Sequence, residues 1–183
     1  MADAAADFWR FSLAIYGKPG VAPACLLLQD EHGRDVNLAL YCCWLGASGR
    51  GRIDPDSLAA ADRAVSGWRH DVVENFRAAR RGIKAASWSD SDAIYAKAKA
   101  VELEAERLLQ RQLVALAPKP DDGRKIGERL ADALANLALY IGEAPAAPIR
   151  DALEAMAKAN FRNRRGVARG AVSSSCRRSR PSA

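Results

Sequence analysis

The apolar residues of the chain recur at spacings of three and four residues, which is the pattern of amphipathic helices. The pattern is clearest where Ile126, Leu130, Leu134, Leu137 and Ile141 follow one another. No segment alternates between apolar and polar residues over the length of a strand, and alanine is abundant throughout. The sequence therefore predicts an all-α fold: a single bundle of seven or eight helices with short connections.

Capping residues and glycines mark the ends of the predicted helices. Asp35 is placed to cap a third helix, because its carboxylate can accept from the free amides of the first turn, and Gly46 is expected to end that helix. Asp54 and Pro55 open a fourth helix, which Gly67 is expected to break. The remaining helices are predicted at about residues 7–16, 24–31, 68–85, 90–117, 122–141 and 149–160.

The charge of the chain is concentrated at its C-terminal end. The net charge is +6, but residues 161–183 carry seven arginines and no acidic residue, which leaves 21 basic and 22 acidic residues before them. This Arg/Ser-rich segment has no apolar periodicity and is predicted to be a disordered tail. The chain is accordingly divided into an all-helical domain, residues 1–160, and a tail, residues 161–183.

Several classes of protein are excluded by composition. No apolar run reaches the roughly 18 residues that a membrane span needs, and the N-terminus has no positively charged region before an apolar one. The four cysteines form no C-x-x-C pair and only two histidines are present, so a zinc site of the usual spacing is not expected. We expect a cytoplasmic protein that does not contact a membrane.

One polar cluster lies inside the most apolar part of the chain. Asp30, Asp35 and Asn37, with Gln29 beside them, flank the turn between the second and third helices. Carboxylate and amide oxygens suit magnesium, so Asp30, Asp35 and Asn37 are candidate metal ligands. The alternative is local: Asp35 caps a helix and the other side chains satisfy backbone groups.

The predicted fifth helix carries a basic stripe. At about 100° per residue its cations fall within about a third of a turn, beside an apolar stripe that includes Phe76 and Ile83. Such a surface suits phosphates, nucleic acid or an acidic partner. The alternative is a solvated edge whose cations pair with Asp or Glu side chains of neighbouring helices. The candidate binding residues are Trp68, Arg69, Arg77, Arg80, Arg81 and Lys84.

The first half of the chain contains four characteristic segments. They are F-W-x-F-S-L-x-x-Y at Phe8–Tyr16, P-G-V at Pro19–Val21, C-L-x-L-Q-D at Cys25–Asp30 and D-V-N-L-x-L-Y-C-x-W at Asp35–Trp44. Together they resemble a family of small proteobacterial proteins known only as a domain of unknown function. The resemblance continues through Trp68-Arg69 and Arg80-Arg81 and covers about half of the chain. It implies a bacterial cytoplasmic protein and brings no catalytic residue with it.

Three functions remain open at this point. The first is a non-enzymatic module that binds another protein through the basic stripe, with Trp68 as an anchor and no cofactor. The second is an enzyme-like pocket between helices two, three and five, where magnesium on Asp30, Asp35 and Asn37 would meet an anionic substrate held by Arg80 and Arg81. The third is binding of nucleic acid by the tail.

Overall fold

A computed structural model describes residues 4–86, 88–144 and 146–155, and within these ranges the chain forms helices and no strand. Residues 147–155 are helical, and Arg69–Val73 form a π-helical turn that joins the fourth helix to the fifth. The predicted all-α bundle is confirmed. The seven main helices are α1 Ala4–Tyr16, α2 Val21–Asp30, α3 Val36–Ala47, α4 Pro55–Trp68, α5 Glu74–Ala86, α6 Asp92–Ala115 and α7 Ile126–Ile141.

Helix α3 is the centre of the core. Every residue from Asn37 to Gly46 is buried, and α1, α2, α6 and α7 all pack on this helix. Phe8 of α1 stacks on Trp44 with ring centroids 5.0 Å apart and meets Tyr41 edge-on at 5.9 Å. Because neighbours surround α3, its sequence is apolar on nearly every face instead of carrying one apolar stripe.

The predicted caps of α3 and α4 are confirmed. Asp35 Oδ1 accepts from the backbone amides of Asn37 at 2.6 Å and Leu38 at 3.3 Å, and Asp54 Oδ1 accepts from Ser57 N at 2.9 Å. Other boundaries differ from the prediction by a few residues. Helix α1 is already formed at Ala4, three residues before the predicted start, so Asp7 lies in its first turn, where it pairs with Arg10.

Two glycines lie within helices, although the sequence predicted a helix end at each. Gly46 is the next-to-last residue of α3, so the helix ends within one residue of the predicted position. A glycine is needed there because α7 passes so closely that only a residue without a side chain fits. Gly67 does not break a helix: α4 continues through the π-helical turn into α5. A helical glycine costs only about 1 kcal/mol, and the buried side chains of Val65 and Val73 on either side outweigh this cost.

Helices α5 and α6 run antiparallel beside each other. No residue of α5 is fully buried, and ion pairs of Arg77 and Arg80 with Glu102 join this helix to α6. The indole of Trp68, at the end of α4, donates to the carbonyl oxygen of Ala105 at 3.0 Å and so links the end of α4 to α6.

In the part of the chain that the structure describes, no single helix is long and apolar enough to cross a membrane. Helices α1 and α2 have that length and composition only when taken together, and they are bent by 101° from each other. The predicted disordered tail, residues 161–183, and the end of the predicted last helix, residues 156–160, lie outside the described residues.

Candidate binding cleft

A cleft of about 520 Å³ opens between α1, α2, α3, α5 and α6. Its volume is in the range of sites that hold small molecules or short peptide segments. One side is apolar, the other is charged, and the floor is neutral and polar. Its lining consists of Trp9, Ser12, Leu13, Tyr16, Cys25, Leu26, Gln29, Asp30, Val36, Asn37, Leu40, Arg77, Arg80, Arg81, Lys84, Tyr95, Lys99, Glu102, Leu103, Glu106 and Gln110.

The apolar side of the cleft exposes large side chains to solvent. Leu13 and Tyr16 of α1 are 53% and 41% exposed, Leu26 of α2 is 47% exposed, and Leu103 of α6 is 38% exposed. Single exposed leucines are ordinary on a protein surface, but several around one concave site are typical of a binding surface.

The charged side is built around Glu102, which is buried between two arginines of α5. Arg77 Nε donates to Glu102 Oε1 at 3.1 Å, and Arg80 donates to both carboxylate oxygens. Arg77 also donates to Glu106 Oε1 at 2.7 Å and to Gln29 Oε1 at 2.6 Å. These contacts tie α5 to α6 and α2, so Arg77 and Arg80 are both engaged in hydrogen bonds within the protein.

The two glutamates respond differently to this environment. Burial of Glu102 favours its neutral form, but the hydrogen bonds and charges of Arg80 and Arg77 outweigh burial and lower its pKa. For Glu106 burial is the larger effect, so its pKa is raised although Arg77 opposes the shift. Glu102 is therefore the firmly ionised anchor of α5.

The rim of the charged side holds cations that are less fully engaged. Arg81 Nη2 donates to Asp30 at 3.1 Å, and both side chains are about half exposed. The hydrogen bond from Arg81 and a second from Gln29 lower the pKa of Asp30. Lys84 of α5 and Lys99 of α6 are exposed and form no ion pair with any acidic residue in the described ranges.

The floor of the cleft is a chain of buried neutral hydrogen bonds. Ser12 Oγ donates to Gln110 Oε1 at 3.2 Å, and Gln110 Nε2 donates to Asn37 Oδ1 at 2.9 Å. All three residues are at most 5% exposed. These bonds fix the positions of α1, α3 and α6 relative to one another below the cleft.

The cysteine in the cleft wall is not activated. Cys25 is 1% exposed, and burial raises the pKa of its thiol to about 12. A thiol with this pKa stays protonated near neutral pH and is a poor nucleophile.

Four of the six predicted binding residues line the cleft, and two do not. Arg77, Arg80, Arg81 and Lys84 are in its wall. Trp68 lies outside the lining and its indole is bonded to α6, while Arg69 bridges Asp62 at 2.7 Å and Asp35 at 3.4 Å. The π-helical turn between Arg69 and the later cations changes the helical phase, so a projection at 100° per residue does not keep them on one face.

The three predicted metal ligands have different surroundings. Asn37 is in the floor of the cleft, Asp30 is on its rim, and Asp35 lies outside the lining, where it caps α3 and pairs with Arg69. Among the described residues no group of three or more His, Cys, Asp or Glu side chains is arranged to hold a metal ion. Magnesium binding by Asp30, Asp35 and Asn37 stays a prediction.

Sequence reasoning did not select Lys99, Glu102 or the exposed apolar side chains of α1 and α2. A charge pattern on α6 was available as a signal, because Glu102 and Glu106 are spaced four residues apart on one face. Which face of α6 meets α5 depends on the tertiary packing, and this spacing alone does not show it.

Comparison with known proteins places the chain in a family without assigning an activity. No curated protein and no solved structure matches it. The model of one family matches residues 7–113, a range that includes every residue of the cleft lining. The expected membership in an uncharacterised family is thus confirmed, while the bacterial and cytoplasmic origins remain predictions. The chain belongs to the family described as "Protein of unknown function (DUF2390)".

Proposed function

We propose that the chain is a non-enzymatic protein-binding module whose cleft receives an acidic, partly apolar segment of another protein. The observation that carries the proposal is the meeting of the α5 cations with four exposed apolar side chains around one cleft. This differs from the interaction surface predicted from the sequence, because Trp68 and Arg69 are replaced by Leu13, Leu26 and Leu103.

Apolar and charged groups have different roles in this proposal. Burying a largely exposed leucine in an interface contributes on the order of 1 kcal/mol, so Leu13, Leu26 and Leu103 supply most of the affinity. The cations around them select acidic partners and speed their approach.

Binding is favoured over catalysis by the state of the groups in the cleft. The Cys25 thiol is protonated because its pKa is raised to about 12, and the Ser12 hydroxyl is buried in a bond to Gln110. Glu102 is held between two arginines and is not free to accept a proton from a substrate.

The experiment compares proteins captured by the intact chain and by two matched variants. Leu26→Asp places a charge on the apolar side of the cleft, whereas Leu139→Asp changes a leucine of similar exposure on α7, away from the cleft. Arg77 and Arg80 are unsuitable for this test, since their replacement would release α5 from α6.

We expect partners that the intact chain and Leu139→Asp retain and that Leu26→Asp loses. Such a partner must then bind the purified chain directly, with a stoichiometry of one measured by calorimetry, and Leu26→Asp should weaken it by a factor of about ten or more. Identical capture by all three proteins would exclude the cleft as the binding surface.

A second candidate is a small ligand that carries phosphate. It is supported by the convergence of Asn37, Arg81 and Lys84 on a cavity of ligand size. A thermal-shift scan with inorganic pyrophosphate, with and without magnesium, tests it. A stabilisation that Arg81→Gln removes would favour this candidate, and equal melting temperatures with and without pyrophosphate would reject it.

Nucleic-acid binding by residues 161–183 stays a prediction from the sequence, since these residues lie outside the described ranges. Deletion of the segment should abolish any salt-dependent retention of the chain on DNA or RNA. If the intact chain is not retained, this function is excluded.

A further inference from the structure

We infer that Lys84 and Lys99 together bind one carboxylate of the partner segment, and that Arg77 and Arg80 position the cleft wall instead of contacting the partner. This inference rests on the proposed function and specifies the chemistry that the cleft selects: an Asp or Glu side chain directly beside an apolar one.

The positive charge that is available to a partner lies on the two lysines. Five cations line the cleft, but three of them are matched by acidic side chains: Arg77 and Arg80 by Glu102 and Glu106, and Arg81 by Asp30. Lys84 and Lys99 have no such partner in the described part of the chain. The surplus of about two charges therefore belongs to them.

The arginines are constrained as well as neutralised. The side chains of Arg77 and Arg80 are 18% and 22% exposed. Burial lowers the pKa of Arg77, but the charge of Glu106 and the hydrogen bonds that Arg77 donates to Glu102 and Glu106 outweigh it and raise the pKa. The pKa of Arg80 is raised mainly by its hydrogen bond to Glu102. A ligand that competed for them would have to leave the Glu102 carboxylate buried without a partner, which is a large cost. Lysine ammonium groups on flexible stems can meet a ligand without breaking any internal pair.

The lysines also lie next to the apolar side of the cleft. Lys99 and Leu103 are one helical turn apart on α6, and both line the cleft. An acidic side chain held at Lys99 would therefore have an apolar neighbour within reach of Leu103. This juxtaposition defines the expected partner motif.

A phosphorylated side chain is the competing occupant of this site. Asp30 and Glu106 are already matched by arginines, so the surplus of about two positive charges can be met by a carboxylate or by a dianionic phosphate. The experiment must therefore distinguish the two.

The test selects displayed random peptides on the full-length chain and on a Lys84→Gln/Lys99→Gln variant. Lys97→Gln serves as the matched control, because Lys97 is exposed on α6 two residues from Lys99 and is not in the cleft lining. We expect the intact chain and the control to enrich peptides in which Asp or Glu adjoins a large apolar residue. The double variant should keep the apolar preference and lose the acidic one.

One selected peptide is then measured by fluorescence anisotropy in three forms: with its acidic residue, with Gln in its place, and with phosphoserine in its place. Each lysine should contribute a factor of about three to five to the affinity, as expected for a largely exposed ion pair. The Gln form should bind the intact chain and the double variant equally.

Three results would overturn the inference. If the double variant selects the same acidic peptides as the intact chain, the lysines do not bind the carboxylate of the partner. The proposed protein-binding function would still stand. Tighter binding of the phosphoserine form would replace the carboxylate by a phosphorylated side chain as the ligand. If no peptide is selected whose binding Leu26→Asp removes, both this inference and the proposed function are wrong.

Discussion

Gly46 and Gly67 offer a direct test of how the helices pack. Both lie within helices, and both were expected from the sequence to end one. A Cβ atom added at Gly46 would lie 2.6 Å from the carbonyl carbon of Asp132 and closer still to the backbone of Ala133, whereas one added at Gly67 would have no atom within 4 Å. The same change to alanine should therefore have opposite effects at the two positions.

The expected magnitudes follow from these distances. Gly67→Ala gains the difference in helix propensity and should raise the free energy of unfolding by about 1 kcal/mol. Gly46→Ala gains a similar amount but forces the backbones of α3 and α7 apart. Overpacking of a core typically costs about 1–3 kcal/mol, and backbone has less room to yield than a side chain, so we expect a net loss of about 2 kcal/mol or more.

Urea unfolding followed by circular dichroism at the helix band measures both free energies. Equal slopes against urea concentration would show that the variants differ in stability and not in the extent of unfolding. If Gly46→Ala is as stable as the unmodified chain, the close approach of α3 and α7 is wrong. If Gly67→Ala is destabilising, the uninterrupted path from α4 into α5 is wrong.

Three further predictions concern buried titratable groups. Glu102→Gln should lower the free energy of unfolding by about 3 kcal/mol, because two partly buried arginines lose their counter-charge. Glu106→Gln should change the free energy of unfolding by less than about 1 kcal/mol, because this substitution also removes the cost of burying a carboxylate. The pKa of Glu102 is lowered, so its contribution is present above its ordinary value of 4.5 and is lost as the pH falls below it; acid unfolding monitored in both variants checks this sign. Cys25 and Cys42, whose pKa values burial raises to about 12, should resist alkylation near neutral pH until urea unfolds the chain, as mapped by mass spectrometry. Asp35→Ala should lower the free energy of unfolding by about 2 kcal/mol, because the cap of α3 and the ion pair to Arg69 are both lost. A thermal melt that shows a loss of only about 1 kcal/mol, which is typical of a cap alone, would refute this.

The helices could be predicted because their signals are local. Asp35 and Asp54 cap helices through atoms two or three residues away, and the spacing of Leu130, Leu134 and Leu137 marks the buried side of α7 without reference to any other helix. These features depend on neighbours in the sequence, which a single chain displays directly.

The behaviour of the two glycines could not be predicted in the same way. Gly46 has the sequence context of a helix terminus, and only the position of α7, some eighty residues later, shows why a glycine is needed there. Gly67 resembles a break because local propensity opposes it, but the burial of Val65 and Val73 overrides that propensity.

The candidate site could be predicted only in part, because half of it depends on how distant helices pack together. Arg77, Arg80, Arg81 and Lys84 share one face of one helix, so their grouping was visible in the sequence. The other half of the cleft comes from α1, α2 and α6, and its leucines look like ordinary core positions until the helices are assembled. The π-helical turn changes the helical phase, and Arg69 does not line the cleft with the later cations.

Helix α5 links the fold to the proposed function. None of its residues is fully buried, and ion pairs to Glu102 and Glu106 join it to α6. Because the pKa of Glu102 is lowered, the contacts of Glu102 are lost only as the pH falls below its ordinary value, and α5 should then loosen from α6. The same arrangement keeps the arginines away from a ligand and leaves the lysines to meet it. The basic stripe therefore divides into two groups with separate roles: arginines that hold the helix in place and lysines that face the partner.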